Sequence, residues 1–143
     1  MVTLDALVRF YETLTPADVD GFAAFYAEDA HFVDPFNDVH GVEAIKCIFS
    51  HMFEQLGAPR FVVVERFERG DQAMLIWVLH CRMGGRDIEI AGASHLRFDD
   101  EGRVTAHRDF WDAAGGVYEK LPLMGGMMRW LRRRLAAPQT TME

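Results

Sequence analysis

Long apolar runs, lysine and cysteine are what this sequence has least of. The longest uninterrupted apolar run, Ala73 to Leu79, falls far short of the roughly 20 residues a helix needs to span a bilayer. The opening MVTLDALVRF has no basic patch ahead of a hydrophobic stretch. No signal peptide is therefore expected, and the protein is read as cytoplasmic. Cys47 and Cys81 are the only cysteines; both sit in apolar segments without metal-type spacing and are read as buried free thiols. His31, His40, His51, His80 and His95 show no ligand spacing either, so neither a metal nor another cofactor is expected. Only Lys46 and Lys120 are lysines, and four of the arginines crowd into Arg129, Arg132, Arg133 and Arg134. Without those four the formal charge of −7 becomes −11. So acidic a body argues against nucleic acid as a partner.

What is present suffices for one core. Half of the 143 residues are apolar, with eleven Phe and three Trp, which excludes disorder. A chain of this length buries roughly 70% of its unfolded surface. No internal repeat, low-complexity stretch or linker interrupts it before Pro138. The reading is one domain over 1–136, with 113–136 as a C-terminal helical extension and 137–143 as a short tail.

Residues 2–14 carry Val2, Ala6, Phe10 and Leu14 at helical spacing, with Leu7 and Tyr11 beside them. Thr15 suits an N-cap, Pro16 the first helical position and Asp18 the positive helix end. A second helix is therefore expected to about Ala27, burying Val19, Phe22, Ala23 and Tyr26. A short strand, Ala30–Val33, breaks at Asp34-Pro35. A third helix over 41–56 shows Val42, Ile45, Phe49, Met52, Phe53 and Leu56, and Gly57 and Pro59 stop it. From residue 60 the period changes to two. Strands 60–69, 72–83, 86–98 and 103–112 are joined by Gly70-Asp71, Gly84-Gly85 and Asp99-Asp100-Glu101-Gly102. Three helices packed in the concave face of a curved, mostly antiparallel sheet make an α+β domain.

The short turns also set a register. They pair Arg69 with Gln72, Met83 with Arg86 and Phe98 with Arg103, and directly opposed residues share a face. One face then collects Val62, Val64, Trp77, Leu79, Cys81, Ile88, Ile90, Gly92, Ser94, Leu96, Phe98, His107, Asp109 and Trp111. The other holds His80, Arg82, Glu89, His95, Arg97, Arg108 and Asp112, with Ile76, Val78 and Phe110. Ser94 falls opposite His107, and Gly92 opposite Asp109. A histidine and an aspartate on an apolar face need partners or a wet cavity.

GFAAFYAEDAHFVDPF (21–36), HGVEAI (40–45) and HLRFDDEGRVTAHRDFWD (95–112) resemble the nuclear transport factor two-like superfamily. That group includes ketosteroid isomerases, SnoaL-like polyketide cyclases and limonene epoxide hydrolases. The resemblance, over about residues 3–112, implies a cone-shaped fold with a deep pocket, and a homodimer formed through the outer sheet face. It specifies the fold more than the reaction.

Asp34 resembles the proton-shuttling base of the ketosteroid isomerases. Where those enzymes place a tyrosine and a protonated aspartic acid as donors, this chain has Phe10 and Ser94, with Tyr11 one residue along. Steroid isomerisation would therefore lack both strong donors. Asp109 resembles the acid/base aspartate of the SnoaL-like cyclases, with His107 two positions earlier on the same face. The epoxide hydrolases need an arginine between two aspartates. On the concave face only Arg66, Arg86 and Arg103 qualify, all near strand ends.

Each candidate also has a plainer role. Asp34 before proline can cap its own loop, and His107 and Asp109 can satisfy each other. A Ser94–His107–Asp109 triad lacks a nucleophile elbow. Trp77 and Trp111 serve as pocket wall or core. Residues 117–135, a helix broken at Pro122, carry Met124, Met127, Met128 and Trp130 among arginines. They cover an edge, close the pocket mouth or rest on a membrane surface. The leading expectation is a pocket for a small apolar ligand. Asp34, His107 and Asp109 would be catalytic and Tyr11, Trp77, Ser94 and Trp111 would bind substrate. The chemistry would be proton transfer on a carbonyl compound, an isomerisation or an aldol-type cyclisation. A non-catalytic binding module and a structural dimerisation domain are the competing expectations.

Overall fold

Thr3 opens the first helix by accepting a hydrogen bond from the Ala6 amide, and α1 runs over Leu4–Glu12. The computed structural model describes residues 1–111. The expected extension over 113–136, the tail and Asp112 lie outside them. The buried stripe of α1 is Leu7, Val8 and Tyr11, with Phe10 only partly covered. That rotation turns the Tyr11 hydroxyl toward the sheet.

The second helix is shorter than its spacing suggests. Pro16–Gly21 forms a 3-10 helix, opened by the reciprocal Thr15–Asp18 capping pair, and α2 is one turn, Phe22–Phe25. Val19, Phe22 and Tyr26 are buried as expected, but Ala23 is exposed. Tyr26 already belongs to strand β1, Tyr26–Val33, because it pairs with Val104 on the last strand. A tertiary partner overrides the helical spacing there. A three-residue strand not foreseen in the sequence, β2 (Asp38–His40), pairs antiparallel with β1. Helix α3 spans Val42–Gln55 and buries Val42, Ile45, Ile48 and Phe49. Cys47 lies on its solvent face and is exposed, while Cys81 is buried. The expectation of two buried thiols therefore holds for one of them.

Strands β3 (Gly57–Arg69), β4 (Gln72–Met83), β5 (Arg86–Phe98) and β6 (Val104–Trp111) complete a six-stranded sheet ordered β2-β1-β6-β5-β4-β3. It is mixed, because β1 runs parallel to β6. The β4–β5 register matches the count from the turn, from Met83↔Arg86 through Trp77↔Gly92 to Gln72↔Arg97.

Irregularities in β3 and between β5 and β6 shift the rest. In β3 the pairing moves from Glu65↔Ile76 to Val63↔Trp77, so Val64 is the extra residue of a bulge. From Val63 back to Arg60 each side chain lies on the face opposite to the one expected. Phe61 and Val63 point into the cone, while Val62 does not and Val64 is 59% exposed. At the β5–β6 turn, the Asp99 amide donates to the Arg103 carbonyl and Phe98 pairs with Val104. A further irregularity between Arg97 and Phe98 moves the pairing again. The two slips add to two residues. Parity survives, so His107, Asp109 and Trp111 stay on the concave face, but their partners change. Ser94 opposes Asp109, Leu96 opposes His107 and Gly92 opposes Trp111.

Candidate active site

Six polar side chains meet in a line on the concave face. The Trp77 indole Nε1–H donates to Ser94 Oγ at 2.8 Å, and the Ser94 hydroxyl donates to Asp109 Oδ1. The same Oδ1 lies 2.6 Å from His107 Nε2. On the other side of the ring, His107 Nδ1 lies 2.6 Å from the Tyr26 hydroxyl, which in turn bonds the Tyr11 hydroxyl. Trp77, Ser94, His107, Tyr26 and Tyr11 are buried, and the Asp109 side chain is 14% exposed.

Strand register explains half of this line. Ser94 and Asp109 are direct cross-strand partners, and His107 and Asp109 are two apart on one strand. Glycine explains the Trp77 contact. A Cβ at Gly92 would lie 2.4 Å from the Trp77 ring, so the space at Gly92 is taken by the indole. The remaining half comes from the helices and β1, which bring Tyr11 and Tyr26 across to His107. Phe32 closes the ring's other flank, with centroids 4.7 Å apart.

Burial is the largest cause that pushes both phenols above the usual tyrosine range, so both remain protonated hydroxyls at neutral pH. The inventory of donors then permits two polarities. With His107 neutral and Nε2–H on Asp109, Nδ1 accepts from Tyr26 and Tyr26 accepts from Tyr11. With His107 protonated, Nδ1–H donates to Tyr26, Tyr26 donates to Tyr11, and the Tyr11 proton is released to another acceptor. One proton on His107 thus reverses two hydrogen bonds downstream.

Two apolar cavities abut at Phe49, Phe61, Trp77 and Asp109. The first, about 20 Å³, is lined also by Tyr11, Val63, Leu75, Ser94 and His107. The second, about 60 Å³, adds Asp34, Phe32, Met52, Leu79, Ile90 and Trp111. Every residue expected at the site therefore borders one cavity or the other. Trp111 packs edge-on to Phe36, centroids 5.4 Å apart, and forms pocket wall.

Asp34 is held differently. Its Oδ1 accepts from the Phe36 amide at 2.8 Å, the Asn37 amide at 2.6 Å and Asn37 Nδ2 at 3.1 Å. Among the described residues Oδ2 takes only the longer Asn37 Nδ2 contact, 3.2 Å. The loop-capping role is real, and the carboxyl still faces the larger cavity. Burial, the largest cause, raises its pKa above the ordinary carboxylate value; the loop donors oppose this and the nearby Asp109 charge adds to it. Tyr26 was missed as a site residue because its spacing placed it on the buried face of a helix. Asn37, buried, carried no signal in the sequence beyond its loop position.

The family model of the SnoaL-like domain matches residues 7–107. The chain belongs to the SnoaL-like domain family. Solved structures agree in fold. A hypothetical protein of ketosteroid isomerase-like fold from Catenulispora acidiphila, in complex with trimethylamine, superposes at TM-score 0.73. It is 17% identical, covering 85% of this chain and 96% of that one. A protein from Shewanella denitrificans provisionally described as a SnoaL-like polyketide cyclase gives 0.64 at 22% identity, covering 78% and 92%. An LEH-like epoxide hydrolase from M. tuberculosis gives 0.65 at 20% identity, covering 92% and 90%. No curated protein matches the sequence. In this SnoaL-like domain Arg66 pairs with Asp5 on α1. Arg86, at the first position of β5, is exposed. Arg103 is held by Asp99 and Glu101 in the β5–β6 turn.

Proposed function

We propose that the domain performs cofactor-independent proton transfer on a small hydrophobic carbonyl compound, an isomerisation or an aldol-type ring closure. The carrying observation is the buried hydrogen-bond line from Trp77 to Tyr11 along the wall of two abutting apolar cavities, the larger of which also exposes Asp34. Asp34, its pKa raised by burial, acts as the base and takes the α-proton on Oδ2. The electron pair moves to the carbonyl oxygen, which becomes an enolate. Protonated His107, held by Asp109, turns the Tyr26 and Tyr11 hydroxyls outward, so that Tyr11 donates to the enolate oxygen. Asp34 then returns its proton to another carbon, or the enolate carbon attacks a second carbonyl, whose π electrons move onto its oxygen, and Asp34 gives its proton to the alkoxide so formed. Ser94 and Trp77 keep Asp109 Oδ1 in place for His107; Oδ2 of Asp109 takes part in neither bond and is the alternative base.

The test is deuterium incorporation at the α-carbon of hydrophobic cyclic ketones in D2O, followed by NMR. The wild type exchanges above the buffer rate, and Asp34→Asn and Asp109→Asn lower the enzymatic rate by about 10²–10⁴-fold. No exchange above buffer with any bound ketone overturns the reading.

The narrowness of the cavities favours a second reading. Volumes of about 20 and 60 Å³ hold only a few water molecules. A polycyclic ligand must displace Phe49, Phe61 or Trp111. A binding module predicts affinity that survives both Asn variants, and a filled structural interior predicts none. A homodimer through the outer sheet face is part of the proposal, supported by Phe67 and Phe110 standing exposed beside half-buried Ile76 and Val78. Phe67→Lys is expected to yield a monomer by sedimentation.

A further inference from the structure

The hairpin of β1 and β2 gathers a second polar cluster on the sheet's other face, away from the cavity. His31 and His40 are direct partners across the two strands. Their imidazoles stack with centroids 4.1 Å apart and planes within 9°. Asp38, two residues before His40 on the same face, places Oδ1 2.6 Å from His31 Nε2. One ligand atom from each of the three lies within 4.8 Å of the others.

Such a set is a poor device for stability alone. Side-chain exposure is 40% for His31 and 68% for Asp38, so their ion pair contributes little in water. Among the described residues, stacking two ionisable rings beside a single carboxylate also leaves one ring without an anionic partner. The chemistry of the set is more specific. Two imidazole nitrogens and one carboxylate oxygen suit a borderline first-row cation and suit calcium or magnesium poorly. The Asp38–His31 contact already occupies the line on which an ion would replace a proton. Modest rotation of exposed rings brings three atoms within 4.8 Å onto one ion, and one coordination position is left for water.

We propose that His31, Asp38 and His40 form a zinc-binding site that clips the short edge strand β2 to β1. The spacing along the chain argued against a metal; the hairpin register supplies the proximity that spacing does not show. The clip would sit at the base of loop 34–37, whose closure now rests on the Asp34 amide donating to the Asn37 carbonyl at 2.9 Å. It would therefore steady the segment that presents Asp34, Phe36 and Asn37 to the cavity. The proposal does not depend on whether the cavity is catalytic.

The test is calorimetric titration of the full chain, stripped with chelator, with zinc chloride. One saturable site per chain is expected, and zinc should raise the thermal midpoint of the wild type. Removing even an outer-shell partner of a metal typically costs about 10–100-fold in affinity, so His31→Ala and His40→Ala should each weaken binding at least tenfold. Asp38→Asn should weaken it measurably. All three side chains are partly or fully exposed, so the variants should fold, which their unfolding curves without zinc will verify. Undiminished binding in His31→Ala and His40→Ala would place the ion elsewhere, for instance at His80 and Glu89, and would overturn the proposal. Failure of the wild type to saturate would overturn it equally.

Discussion

Asp34 and Asp109 border the same cavity, yet they are held in opposite ways. Asp34 is gripped by residues two and three places further along its own loop. Asp109 is gripped by a serine across the sheet and a histidine whose far side is tied to β1 and α1. The first carboxylate takes its hydrogen bonds from local chain geometry and would keep most of them in a loosened fold. The second has them only when four elements are in place. Local capping makes a durable but committed carboxylate, whereas a line of side chains from separate elements makes one whose state can be passed to a distant hydroxyl.

Breaking the tertiary line should cost most. Asp109→Leu leaves Ser94 and His107 without their common acceptor in a buried setting, and loss of roughly 3 kcal/mol is expected, read by urea denaturation. A variant as stable as the wild type would show that the line contributes no rigidity. Gly92→Ala attacks the same line by volume. The added Cβ overlaps the Trp77 ring, and about 1–3 kcal/mol of overpacking strain is expected, with a shift in tryptophan emission as the indole leaves Ser94. Tyr26→Phe is gentler, because it cuts the line between His107 and Tyr11 while preserving the ring. A loss of about 1–2 kcal/mol is expected. Ketone exchange should also slow, because Tyr11 loses its link to His107, while some Asp34-driven rate remains. An unchanged exchange rate in Tyr26→Phe would separate Tyr11 from His107.

The smallest effect is expected at the locally held carboxylate. The native pKa of Asp34 is raised above 3.8, so the native state holds its proton more tightly than the unfolded chain. Its contribution to stability is therefore fully present at low pH, and it falls as pH rises through the window between the unfolded and native values. Asp34→Asn removes that decline while losing an acceptor in the loop. The variant should be less stable than wild type in acid and recover relative to it toward neutral pH. Thermal midpoints at pH 4 and 7 measure the difference; a constant gap would contradict the raised pKa.

Much of this was legible in the residues alone. The period of two after residue 60, with two-residue turns at Gly70-Asp71 and Gly84-Gly85, placed Trp77, Ser94, His107 and Asp109 on one face, and the structure keeps them there. Helix α3 and strands β4 and β5 end within a residue or so of the boundaries read from caps and turns. The errors have one origin. Val62 and Val64 were assigned to the concave face because the Val64 bulge leaves no mark in an apolar stretch, where one valine replaces another. The partner of Ser94 was misread because the β5–β6 turn closes at Val104 instead of Arg103 and an irregularity between Arg97 and Phe98 adds a second residue to the slip. The expected helix through Ala27 lost its last residues to a strand partner 78 positions away, Tyr26↔Val104.

Alternation and turn chemistry are local properties, so the sequence by itself determined the α+β class, the strand order from β3 to β6 and the parity of the facing residues on β4, β5 and β6. An even slip cannot change parity, which is why the face of His107 and Asp109 survived a two-residue error in register. Partners are a different matter. Which hydroxyl reaches His107, which glycine accommodates Trp77 and which two histidines stack on the β1–β2 edge depend on bulges and on the parallel closure of β1 against β6. Those are settled by packing between segments far apart in the chain, where the energetic difference between one register and the next resides. Only the tertiary structure decided them.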